Sequence, residues 1–252
     1  MTNHFCDLRR RCFLAFTLLA AVGVPTAFAQ DKPATRPATT PASKPVEKIV
    51  RVTAEHPETK ERLVCLVDIT AAPELEKWGI EAANYALKHY PTIEKTLATE
   101  GYTPTREFRL FFRDMPGVAH ASGNVITISI AYVKRNPDDF GMVAHELTHV
   151  IQKYRRGEGW LTEGIADYVR YYIIEPGTRR ARFDINKTSY KNAYQPAAGF
   201  LDYLERTNPG VVSKLNAALR AGKYKPELFV EVAGGTPDEL WEAFKQSKQQ
   251  GD

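Results

Sequence analysis

Apolar residues recur along this chain with two different periods. In Leu63-Val64-Cys65-Leu66-Val67 they run almost without a break, so Leu63–Thr70 is expected to be a strand. From Pro73 to Glu100 they fall at helical spacing (Leu75, Trp78, Ala82, Ala86, Leu87), which predicts a long helix with Pro91 as its candidate bend. Glu107–Arg113 reads as a second strand, and Val125–Ile130, where isoleucines alternate with Thr127 and Ser129, as a third. Asn136-Pro137-Asp138-Asp139 then offers capping groups and an N1-type proline ahead of a long helix through His145 and His149. Gly157-Glu158-Gly159 is its expected stop. A short helix over Leu161–Tyr172 follows, and the remainder is mainly helical, with breaks near Pro196, Pro209, Pro226 and Gly234-Gly235. Strands early and helices late, without internal repeats, predict an α+β fold: a small N-terminal twisted sheet followed by a mainly helical C-terminal part.

The N-terminus departs from this pattern. Arg9, Arg10 and Arg11 precede an apolar stretch from Cys12 to Val24, and Ala27-Phe28-Ala29 stands before Gln30. That is the layout of an export signal over residues 1–29, cut after Ala29. The stretch is shorter than the roughly 20 apolar residues of a permanent span. No stable membrane insertion is therefore expected after cleavage, and the protein is expected in the periplasm, the cell envelope or outside the cell. Arg10-Arg11-Cys12-Phe13-Leu14 is similar to the core of a twin-arginine signal, which leaves two export routes open. Residues 30–45, rich in Pro, Thr and Ala, read as an extended linker, and residues 46–252 as one domain large enough for a sizeable core.

Removing the signal takes Cys6 and Cys12 with it, leaving Cys65 of the three cysteines and no internal disulfide. Within its apolar strand Cys65 reads as a buried, inert thiol. The net charge of +4 includes +2 from the signal, where three arginines oppose Asp7, so the processed chain carries only +2. This lacks the basic footprint of a nucleic-acid binder. The local clusters Lys153, Arg155, Arg156 and Arg179, Arg180, Arg182 read as solvated faces.

The chemistry concentrates in Met142-Val143-Ala144-His145-Glu146-Leu147-Thr148-His149-Val150-Ile151. Two imidazoles four residues apart on a helix project from one face about 6 Å apart along the axis and can converge on one ion. Glu146 lies one step around, where a carboxylate can reach an ion-activated water without being a ligand. Apart from Glu146 the segment is uncharged, so the helix is expected to be buried, and buried histidines need partners. Catalytic zinc takes three protein ligands and keeps a fourth position open. A third histidine in the metzincin arrangement is ruled out, since Gln152 and Arg155 occupy the positions where Gly and His would stand, and no histidine follows His149. The strongest candidate is Glu163, with Asp167 spaced to share its helix face and to accept the second ring N–H of His145. A His-His-carboxylate set also occurs at iron sites, although there Glu146 has no task.

Val143-Ala144-His145-Glu146-Leu147-Thr148-His149-Val150-Ile151-Gln152, followed by Glu163-Gly164-Ile165-Ala166-Asp167-Tyr168-Val169-Arg170, resembles the plant basic secretory protein family, which belongs with the gluzincin metallopeptidases. Ala198-Gly199-Phe200-Leu201-Asp202-Tyr203 resembles a third block of that family, and Tyr194 falls where the block carries a tyrosine. The resemblance implies a zincin-like metallopeptidase fold, a zinc ion and hydrolysis of peptides or proteins. In that reading His145, His149 and Glu163 hold the metal, Glu146 is the catalytic base, Asp167 orients His145, and Tyr194 is the candidate donor to the oxyanion. Two alternatives use the same residues differently: a non-catalytic module that binds cell-surface or wall polymers, and a zinc hydrolase of a non-peptide amide or ester. His120, in Gly117-Val118-Ala119-His120, reads as a loop histidine, or lies near the site if that loop precedes the edge strand, and His56 and His89 receive no role. Val125–Ile130 is a candidate exposed edge to which an extended peptide could add as a strand, or an interior strand whose Thr127 and Ser129 face a polar layer.

Overall fold

The near-continuous apolar run around Cys65 is a strand buried on both faces. In the computed structural model, which describes residues 46–177 and 182–250, β2 (Arg62–Asp68) lies between β1 (Ile49–Glu55) and β3 (Glu107–Arg113). The five-stranded sheet has the order β1-β2-β3-β5-β4, with β4 at Ala119–Ser122 and β5 at Val125–Ser129. The central pairs β2/β3 and β3/β5 are parallel, and the outer pairs β1/β2 and β5/β4 antiparallel. A parallel pair needs a crossover between its strands. For β2 and β3 that crossover is α1 (Glu76–Thr96), which is continuous through Pro91 and buries Trp78, Ala82, Ala86, Leu87, Tyr90 and Ile93.

α1 approaches the sheet closely at Gly79, where an added Cβ would stand 2.6 Å from Val67 Cγ1. Around that contact Trp78 meets Phe112 edge-on and stacks on Phe140, with centroids 5.8 and 5.2 Å apart. After β5 the chain turns at once into α2 (Ile130–Arg135), then α3 (Gly141–Gln152), α4 (Gly159–Tyr168) and a π-helical segment, Val169–Ile174. α5 (Tyr194–Thr207), α6 (Val211–Arg220), α7 (Leu228–Ala233) and α8 (Pro237–Gln249) complete the helical part. The fold is α+β, with the sheet early and helices late.

Several local expectations are corrected. Ser129 ends β5 and caps α2 by accepting from the Tyr132 amide, so Ile130 is helical and not the last residue of a strand. Asn136 closes α2, and no side chain caps α3. Asp139, offered as a cap, instead pairs with Arg170 and accepts from the Tyr132 hydroxyl. The stop of α3 is Lys153, which adopts a left-handed conformation and donates its N–H to the His149 carbonyl, whereas Gly159 opens the next helix. Pro196 sits in the first turn of α5, where a missing N–H costs no helical bond. β5 lies between β3 and β4, which overturns its reading as an exposed edge; the strand on that side of the sheet is β4. His120 is accordingly in an edge strand, opposite Thr127, and not in a loop.

The export signal expected over residues 1–29, the linker over 30–45, and Arg179 and Arg180 lie outside the described residues. Cys65 is fully buried, and burial pushes its thiol up to about 12. Among the described residues no helix is long and apolar enough to cross a membrane.

Candidate metal centre

The apolar composition of α3 places it inside the molecule, with every residue buried except the half-buried His149. It packs against α1, the edge strand β4 and α4. The four-residue spacing brings the two imidazoles together nearly at right angles, with centroids 4.8 Å apart and the Nε2 atoms 3.1 Å apart.

α4 supplies the carboxylates. It can lie close to α5 because Gly164 has no side chain: a Cβ there would stand 2.7 Å from Ala197 Cβ. Glu163, its neighbour, reaches toward α3, with Oε2 3.2 Å from His145 Nε2 and 3.4 Å from His149 Nε2. One turn on, the buried Asp167 accepts from His145 Nδ1 at 2.6 Å. Gln152 Oε1 meets His149 Nδ1 at 2.7 Å. Both rings therefore have Nδ1 engaged by an oxygen and turn Nε2 inward.

The inward atoms form a triangle with edges of 3.1, 3.2 and 3.4 Å. Two ligands on a tetrahedral ion with bonds of about 2.0–2.1 Å stand roughly 3.3 Å apart, so the triangle fits one ion. His145, His149 and Glu163 could hold a metal as a group. Two imidazoles and a carboxylate converging in this way are held together by a shared proton or by a cation among them.

The electrostatics have the same origin. Burial alone would lower the His145 pKa, but its bonds to Asp167 and Glu163 outweigh this and hold it at about 9. Burial acts to raise Glu163, and bonds from His145 and His149 bring it down to about 2. Glu146 is raised by burial against the pull of both histidines.

Glu146 faces a cleft of about 930 Å³, large enough for an extended ligand. It is lined by the edge strand β4, with Ala119, His120 and Ala121, and by Tyr194 and Gln195 at the start of α5. Lys153 and Arg155 border it beyond the end of α3. Tyr194 is half exposed, and its ring lies nearly parallel to that of His145 at 6.3 Å. Ala193 and Tyr194 both have positive φ, +59° and +46°, a conformation that costs a non-glycine residue on the order of 1–3 kcal/mol and clusters at functional sites. Neighbouring Glu163, then burial, raise the Tyr194 phenol. His56 and His89 do not line the cleft.

All the site residues expected from the sequence meet here. Gln152 joins them without a role assigned from the sequence, although its spacing of three from His149 puts the two on one helix face.

An α+β scaffold that brings two histidines and a carboxylate together beside a cleft defines a candidate metal centre. Residues 78–244 match the family described as peptidases of plants and bacteria, BSP, and the chain belongs to it. Peptides or proteins are the substrates that such a family implies. A comparison with curated proteins finds no match.

Proposed function

We propose that this protein is an exported, zinc-dependent peptidase of zincin-like fold, in which His145, His149 and Glu163 hold the metal. The observation that carries this reading is the inward-facing triangle of two Nε2 atoms and one carboxylate oxygen, beside a buried glutamate in a chain of a peptidase family. The set of two nitrogens and one oxygen suits zinc, and three protein ligands leave a position open. A zinc ion bound there supplies Lewis-acid polarisation of a carbonyl and makes water acidic near neutral pH.

The chain's own residues supply the remainder. Glu146 takes a proton from the attacking water and later delivers one to the leaving amine, and burial makes its carboxylate a better base than an exposed one. Asp167 keeps the His145 proton on Nδ1. Tyr194 is the donor to the oxyanion: a phenol raised by neighbouring carboxylates stays protonated and brings no competing charge. The edge strand β4 can pair with the backbone of an extended substrate, which favours peptides over compact ligands.

The test combines metal content by mass spectrometry with cleavage of casein and a peptide library, under a chelator control. Glu146→Gln is expected to bind zinc as the wild type does and to lose activity by at least about 100-fold. Retention of activity in that variant would remove Glu146 as the base. Zinc binding without any peptide cleavage by the wild type would redirect the reading to a non-peptide amide or ester.

A further inference from the structure

Gln152 is almost completely buried, at 1% exposure, so water does not compete for its amide. It is the last residue of α3, three beyond His149, and its two amide atoms make different bonds. Nε2 donates to the Thr162 carbonyl at 3.1 Å, and Oε1 stands 2.7 Å from His149 Nδ1. The orientation of the amide follows from chemistry, because a carbonyl oxygen only accepts and must face the NH2 side. Oε1 is then turned to His149, whose Nδ1 must bring the hydrogen. That places the ring's proton away from the triangle and leaves the Nε2 lone pair directed into it.

Gln152 is held in turn. Its backbone carbonyl accepts from Arg220 Nε at 3.3 Å, which joins the last turn of α3 to α6. Thr162 immediately precedes Glu163, so the same side chain that orients the second histidine also anchors the backbone beside the carboxylate.

We propose that Gln152 is a positioning residue that fixes the tautomer of His149 and thereby sets the metal affinity of the site. It is the uncharged counterpart of Asp167: one imidazole is held by a carboxylate from α4, the other by an amide from its own helix. Without the acceptor, the His149 proton is free to move to Nε2, where it opposes an ion.

The inference rests on the metal reading above, and the experiment separates the two. Zinc affinity of the full chain is measured by competition with a chromophoric chelator, alongside melting temperature, for wild type, Gln152→Leu and Gln152→Glu. Gln152→Glu keeps an acceptor for His149 and loses the donor to Thr162, so it isolates the tautomer effect from the tie between helices. The expected result is a loss of about 10- to 100-fold in zinc affinity for Gln152→Leu, and affinity close to wild type for Gln152→Glu even if its melting temperature falls. Gln152→Met, unbranched and lacking the acceptor, replaces the leucine variant should that one fail to fold. Wild-type affinity in the variants without the acceptor overturns the proposal, as does an equal loss in Gln152→Glu. A wild-type chain that binds no zinc sinks the metal reading itself.

Discussion

Asp167 shows how much of the site depends on residues that touch no ion. Its carboxylate is buried and spends its charge on one ring N–H, the Nδ1 of His145. Asp167→Asn keeps the shape and removes the charge, so it should weaken zinc binding about 10- to 100-fold without loss of the fold, measured by chelator competition and circular dichroism. Unchanged affinity would mean that His145 is oriented by packing alone. The two spacings of four, His145 to His149 and Glu163 to Asp167, were legible from the chain because a helix converts them directly into shared faces. Tyr194 was legible only through a resemblance. Its place beside His145 depends on a left-handed turn at Ala193 and Tyr194 that no glycine announces.

Between elements, the site depends on how closely α4 lies to α5, and Gly164 sets that distance. Gly164→Val should push the helices apart, destabilise the protein by about 1–3 kcal/mol and displace Glu163 from the histidines. Thermal melting and zinc competition would report the two effects together; a stable variant with full zinc affinity would show that the interface can yield. Most elements were readable from periodicity, and Glu107–Arg113 coincides with the observed strand. β4 was not. Ala119-His120-Ala121-Ser122 carries no β-branched or large apolar residue, and it is a strand only because β5 lies beside it. The caps of α3 were misread for a related reason: Asp139 is a good cap in isolation, but Arg170, distant in sequence, claims its carboxylate.

For the molecule as a whole, buried acids that keep their protons well above neutral pH set an alkaline limit. Burial raises both the Cys65 thiol and the Tyr90 phenol to about 12. Each holds its proton more tightly when folded. The stability this contributes is complete below the unfolded values, near 9 for the thiol and 10 for the phenol, and is lost as pH rises toward about 12. Above about pH 9 urea midpoints should therefore decline, each group removing about 1.4 kcal/mol per pH unit within its window. A flat profile through that range would show that neither proton is tied to folding.

The two margins of the sheet also differ in temperament. β1 is seven residues long, and its outward positions include Arg51, Thr53 and Glu55, so a stray strand meets a charge of either sign on that border. β4 is four residues long and bears only small side chains and one histidine. A sheet guarded on one border and bare on the other has a built-in polarity of reception. The bare border is the one beside the histidines, and its four residues limit how much chain a visiting strand can pair with.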